Sequence, residues 1–214
     1  AMDFGALGLW DVDTAWTWKK ISGGNVETMA GWANGLAMDF GAAVGLWNVD
    51  TAGTWKKISG GNVETMAGWA NGLAMDFGSS GLWNVDTAWT WKKISGGNVE
   101  TMAGWANGLA MDFGAAVGLW NVDTAGTWKK ISGGNVETMA GWANGLAMDF
   151  GSSGLWNVDT AWTWQKISGG NAEGLAGWAN GLAMDFGSSG LWNVDTAWTW
   201  QKISGGNAET LTDV

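Results

Sequence analysis

The sequence predicts an all-β chain: a six-bladed β-propeller, four antiparallel strands per blade, the terminal blade closed by strands from both chain ends. Three observations predict it. The triplet Gly-Leu-Trp ends at Trp10, Trp47, Trp83, Trp120, Trp156 and Trp192, at steps of 37, 36, 37, 36 and 36 residues. Six tandem copies at such a period are the signature of a closed array or a solenoid. Each copy reads as four short strands between tight turns, and no window carries a helical period. The two chain ends supply complementary parts of one copy.

The copy from Asn62 to Ser95 shows the strands. Val63 to Trp69 is the first, Leu73 to Phe77 the second, Leu82 to Asp86 the third and Trp89 to Ile94 the fourth. Gly, Asn, Asp and Ser separate them, as turns require. Asn71-Gly72 is the strongest turn signal, because a two-residue Asn-Gly hairpin tolerates positive φ at both central positions. That turn sets Trp69 opposite Ala74, Gly68 opposite Met75, Ala67 opposite Asp76 and Met66 opposite Phe77. Large then faces small in three of four pairs. Along the second strand Leu73, Met75 and Phe77 share one face, and Ala74 and Asp76 the other. Gly78-Ser79-Ser80-Gly81 makes the next hairpin and Asp86-Thr87-Ala88-Trp89 the third. A four-stranded meander repeated radially is a propeller blade. The small first strand (Met66-Ala67-Gly68) suits the crowded centre, and the Trp-rich fourth strand suits the rim.

The ends agree with closure. Ala1 to Gly5 reads as a second strand without its first, and Glu209 to Val214 as a first strand without its second. Joined, they make a blade lacking only the turn equivalent to Ala33 through Leu36. Such a splice removes open strand edges. The expectation is one domain over residues 1–214, and a monomer.

Composition narrows function more than it defines it. There are 37 Gly, 21 Trp and 10 Met, and no Pro, Cys, His, Tyr or Arg. Without Cys there is neither a disulfide framework nor a thiolate metal site. The formal charge is −10, and no arginine is present, so nucleic acid and anionic membranes are not expected partners. No apolar run reaches the length of a membrane-spanning helix.

The copies are nearly identical, and the pair of copies one and two recurs almost intact as three and four, which implies recent duplication or deliberate construction. Copies two and four carry Val44 and Val117 in the second hairpin and Gly53 and Gly126 in the third, where the other copies have Trp16, Trp89, Trp162 and Trp198. The expectation is that the valine fills space the lost indole would cover.

General acid–base chemistry would fall to Asp, Glu or Lys. Two carboxylate rings exist, Asp39 and its equivalents on the second strands and Glu64 and its equivalents at the start of the first. Six equivalent environments cannot hold one carboxyl protonated and its partner ionised, as catalysis needs. No enzyme, cofactor or resident metal is expected. The Asp ring is expected to cap backbone amides or bond an indole N–H. The Glu ring is where a cation would sit, at one mouth of the channel. The third hairpin offers more. It groups an amide, a carboxylate and an indole: Asn84, Asp86 and Trp89; Asn157, Asp159 and Trp162; Asn193, Asp195 and Trp198; and Asp13 with Trp16. Sugars are recognised by such sets, the aromatic face taking ring C–H groups and the polar atoms taking hydroxyls. The competing reading is that Asp86 closes the turn and Trp89 packs on a neighbouring blade.

The unit Gly-Leu-Trp…Trp-x-Trp-Lys-Lys-Ile-Ser resembles tectonin and tachylectin-type blades in all six copies. That resemblance implies a β-propeller and carbohydrate binding between blades. The segment Trp83-Asn84-Val85-Asp86…Trp89 is also similar to the Trp-Asp-Gly-x-x-Trp turn of six-bladed fucose-binding lectins. Those lectins contact fucose with Arg and Glu, and this chain has no Arg. The expected function is therefore multivalent glycan binding near Trp16, Trp89, Trp162 and Trp198. The alternative is a symmetric scaffold with no evolved ligand.

Overall fold

The computed structural model describes residues 1–3, 8–12, 18–23, 25–169, 171–178, 181–205 and 211, with the side chains of residues 2, 3, 11, 12 and 18 left aside. Blade 1 holds β1 (Met2–Asp3), β2 (Leu9–Val12) and β3 (Trp18–Ser22). Blade 2 holds β4 (Thr28–Trp32), β5 (Gly35–Asp39), β6 (Leu46–Val49) and β7 (Trp55–Ser59). Blade 3 holds β8 (Thr65–Trp69), β9 (Gly72–Asp76), β10 (Leu82–Val85) and β11 (Trp91–Ser95). Blade 4 holds β12 (Thr101–Trp105), β13 (Gly108–Asp112), β14 (Leu119–Val122) and β15 (Trp128–Ser132). Blade 5 holds β16 (Thr138–Trp142), β17 (Gly145–Asp149), β18 (Leu155–Val158) and β19 (Trp164–Ser168). Blade 6 holds β20 (Gly174–Trp178), β21 (Gly181–Asp185), β22 (Leu191–Val194) and β23 (Trp200–Ser204). Five sheets are four-stranded antiparallel meanders, and blade 1 is described as three strands.

The expected closing strand at 209–214 lies outside the described residues, except for Leu211. That one residue is informative. It lines the axial channel with Met29, Met66, Met102, Met139 and Leu175, its equivalents one copy apart. The C-terminal segment thus brings a sixth apolar side chain to a channel of about 120 Å³.

First strands approach each other backbone to backbone around this channel. A Cβ on Gly68 would overlap the Gly31 carbonyl oxygen, and Gly104, Gly141 and Gly177 stand in the same relation to the blade before. Only glycine fits where two main chains touch.

The register of the first hairpin corrects the sequence expectation. Trp69 pairs with Gly72, Gly68 with Leu73, Ala67 with Ala74 and Met66 with Met75. The turn is Ala70-Asn71, one residue earlier than expected. Gly72 is already in the strand at φ +132, where a Cβ would overlap the Val85 carbonyl of β10. The glycine serves close strand approach rather than the turn itself. Ala67 thus faces Ala74 and Met66 faces Met75 within the sheet, and the size complementarity of these residues lies between blades. Leu73 and Met75 of blade 3 pack on Ala30, Ala37 and Leu46 of blade 2. On the other face, Ala67, Ala74 and Leu82 receive Met102, Leu109 and Met111 of blade 4. The expected split of β9 into a large face and a small face is what builds these two cores.

The Asp ring staples successive blades. Asp39 accepts the Gly41 N–H at 2.9 Å through Oδ1 and the Val63 N–H of the next blade at 2.6 Å through Oδ2. Asp112 repeats this with Gly114 and Val136 at 3.0 and 2.6 Å, and Asp149 with Gly151 and Ala172. The Glu ring lies elsewhere than expected. Glu27, Glu64, Glu100, Glu137 and Glu173 rest against the second-hairpin glycines Gly41, Gly78, Gly114, Gly151 and Gly187 of their own blades. The channel wall is Met, Leu, Ala and Gly. A carboxylate is better hydrated at that loop than against methionines.

Candidate functional site

The third hairpin is a three-residue loop whose last member is left-handed. The Asp86 N–H donates to the Thr90 carbonyl at 3.1 Å and the Trp89 N–H to the Asp86 carbonyl at 2.9 Å. Asp86 Oδ1 accepts the Ala88 and Thr90 N–H groups at 2.9 and 2.8 Å. The fourth strand accordingly starts at Trp91, two residues later than expected. A tight turn followed by a left-handed residue is a common hairpin closure, and glycine suits its last position. Gly53 and Gly126 stand there at φ +83 and +88. Trp89, Trp162 and Trp198 stand there too, at φ +67, +68 and +67, the positive-φ non-glycine residues among those described.

What holds these indoles is the preceding blade. Trp89 meets Trp32 edge to face, with ring centroids 5.4 Å apart, and Lys56 Nζ sits 3.6 Å from its ring centroid. Trp162 repeats the arrangement on Trp105 and Lys129 at 5.3 and 3.6 Å. Trp198 meets Trp142 at 5.3 Å, and the lysine position is Gln165. Each indole thus bridges two blades. The first-strand tryptophan is itself fixed, as in blade 3: Trp69 Nε1 donates to Asn84 Oδ1 at 2.6 Å, and Asn84 Nδ2 donates to the Asn71 carbonyl at 2.9 Å. The Asn71 side chain donates to the Thr124 carbonyl of the next blade at 3.0 Å, clipping that blade's third hairpin.

Glycine at the third hairpin leaves a groove open. Between blades 3 and 4, opposite Gly126, lies a cleft of about 520 Å³ with Trp69, Lys92 and Trp128 in its walls. Between blades 1 and 2, opposite Gly53, a cleft of about 410 Å³ is bordered by Lys19, Lys20, Trp32 and Trp55. The valine expectation fails here. Val44 sits in the β5–β6 loop and Gly53 in the β6–β7 loop, at opposite ends of β6, and Val44 is half exposed. A four-residue strand separates the two, so the side chain cannot occupy the indole's space.

Beside Trp162 a third cleft, of about 430 Å³, is lined by Asn107, Asn121, Asp123, Thr127, Lys129 and Thr160. The Asp123 carboxyl is held below the ordinary carboxylate range, first by the Thr127 N–H, against the opposing effect of burial, with the Ala125 N–H adding to the lowering. It is a charged acceptor at neutral pH.

The expected site residues fall out as follows. Asn84, Asn157 and Asn193 are buried, and each accepts the indole N–H of its own blade's first strand. Asp86, Asp159 and Asp195 hold their turns through Oδ1. Asp13 and Trp16 lie outside the described residues. The structure sets Trp162 with Asp123 and Asn121 of the preceding blade, not with its own Asp159 and Asn157. Those cross-blade residues escaped sequence reading, because partners such as Asn107 and Thr160 stand 53 residues apart. The lysine gave no signal either, since Lys92 precedes the blade of Gly126 and Gln165 the blade of Trp198.

No known family model matches the chain, and no curated protein sequence does. Solved structures do. The chain is similar to PorZ, a surface component of the type-IX secretion system of Porphyromonas gingivalis, with a TM-score of 0.66 and 14% identity over 88% of this chain. It spans only 28% of the PorZ chain. It is similar to a catalytically inactive virginiamycin B lyase from Staphylococcus aureus bound to quinupristin, with a TM-score of 0.62 and 11% identity, covering 94% of this chain and 80% of that one. Apo AztD from Citrobacter koseri follows at 0.51 and 13%, over 92% and 65%. At these identities the likeness shows the propeller fold alone.

Proposed function

We propose that the chain is a non-catalytic, monomeric carbohydrate-binding propeller. Its weak sites recur around one face, at the grooves beside Trp89, Trp162 and Trp198 and, by repeat, Trp16. The observation that carries this reading is the groove beside Trp162, where one half-buried indole adjoins Asp123, two asparagines, three threonines and Lys129. An aromatic wall with hydroxyl-matching donors and acceptors suits a pyranose better than a charged or wholly apolar ligand. The tectonin-like motif points the same way. Repetition would raise avidity on a branched glycan without any single tight site.

The test is a glycan array with the intact chain, repeated with Trp89→Ala, Trp162→Ala and Trp198→Ala combined. Binding that the triple variant loses, with its far-ultraviolet circular dichroism retained, supports the proposal. Silence across the array removes it. The near-identity of the copies then favours the second reading, a symmetric scaffold without an evolved ligand.

A further inference from the structure

We infer that the cleft between blades 3 and 4 is a receptor for a planar bicyclic aromatic ligand of the indole class, separate from the proposed glycan grooves. The inference rests on the repeat itself. At the interfaces of blades 2 with 3 and 4 with 5, a first-strand tryptophan and a fourth-strand lysine of one blade grip an indole from the next: Trp32 and Lys56 hold Trp89, and Trp105 and Lys129 hold Trp162. At the interface of blades 3 and 4 the same two groups, Trp69 and Lys92, line the cleft, but the residue opposite is Gly126. A side chain there would meet nothing within 4 Å of its Cβ.

Trp69 is half-buried and lines the cleft from the blade 3 side. The cleft volume of about 520 Å³ lies within the range of small-molecule sites. A free indole fitting there would present its edge or face to Trp69 and its π-cloud to the Lys92 ammonium, the two contacts that Trp89 and Trp162 make within the chain. At the interface of blades 1 and 2 the sequence position equivalent to Trp69 is Val214, so the repeat supplies no equivalent of Trp69 there. One site per chain follows.

The experiment is titration of the intact chain with indole, read by calorimetry and by fluorine NMR of 5-fluoroindole. Saturable binding of one equivalent is expected. Gly126→Trp should abolish it by filling the cleft from within, and Lys92→Gln, at an exposed position, should weaken it about threefold. No saturable binding at millimolar indole overturns the inference. So does binding that both variants leave unchanged, which would place the ligand elsewhere. Lys92→Gln decides the matter if Gly126→Trp fails to fold. Glycan binding at the other grooves has no bearing on either outcome.

Discussion

Gly126 occupies the backbone position that Trp89 occupies one blade earlier, and both are left-handed, at φ +88 and +67. One sequence pattern therefore sets an indole into some inter-blade grooves and none into others. Left-handed geometry costs a non-glycine residue about 1–2 kcal/mol. An edge-to-face aromatic pair returns about 0.5–1.5 kcal/mol and a cation–π contact about 0.5–2 kcal/mol. Burying half an indole, about 100 Å², adds about 2.5 kcal/mol at 25 cal/mol per Å². The balance favours the tryptophan. Gly126→Trp is expected to stabilise the chain by about 1–2 kcal/mol, measured by urea denaturation, and destabilisation would mean that the groove does not accept the rotamer.

Val44 and Gly53 vary together in the sequence yet sit at opposite ends of β6. Separated sites with no shared partner are additive. The double variant Val44→Ala with Gly53→Trp is expected to equal the sum of its singles to within about 0.5 kcal/mol. A larger coupling would restore the idea that the valine substitutes for the indole.

That pair also marks how far the sequence could be read. The six-fold repeat, the four-strand unit, the Leu73–Met75 face and the capping role of the Asp ring were all legible, because each is a periodicity or a local residue preference. The turn at Ala70-Asn71 was misplaced because Asn-Gly signals a hairpin, while Gly72 answers to the carbonyl of Val85 on another strand. The grooves were invisible because their walls come from residues more than one copy apart, such as Asn71 and Thr124. Covariation between copies of a duplicated pair records descent, and contact need not follow from it.

Asn84 joins the Trp69 indole to the Asn71 carbonyl in a buried position. Asn84→Ala strands a donor and an acceptor at once, each at about 1–3 kcal/mol when buried. A loss of about 2–4 kcal/mol is expected in denaturant unfolding. Asn121→Ala, the equivalent change in blade 4, should match it. A loss below 1 kcal/mol in both would mean that water replaces the amide at about no cost.

Burial pushes the Asp76 carboxyl above its ordinary value of 3.8; the Val99 N–H opposes this, and the Glu64 charge adds to it. Asp149 is raised for the same first reason, with the Ala172 and Gly151 N–H groups opposing. Between 3.8 and the raised value the folded chain binds more protons than the unfolded chain, so stability falls as pH rises through that window. The contribution is complete below the unfolded value and lost above the folded one. Tm is therefore expected to climb on acidification from neutrality toward that window. Asp76 Oδ1 is the buried side-chain oxygen without a hydrogen-bond partner among the described residues. Asp76→Asn removes the titration there while keeping an acceptor for Val99, and should flatten the climb. An unaltered Tm–pH curve would assign the effect to other groups.

Gly68 tests the ring itself. Its Cα faces the Gly31 carbonyl, so a methyl group must displace main chain on one side or the other. Main chain there is pinned by the β8–β9 pairing on one blade and the β4–β5 pairing on the blade before. Neither sheet can retreat without opening the channel lined by Met29 and Met66. Overpacking in a rigid site costs about 1–3 kcal/mol and more where backbone must move, so Gly68→Ala is expected to lower Tm sharply or prevent folding. Gly96→Ala is the matched control, with nothing within 4 Å of the added Cβ and no left-handed φ. It should be neutral or gain up to about 1 kcal/mol through the unfolded chain. Equal, small effects at both glycines would show that adjacent first strands do not touch, and the closed ring would then have to be given up.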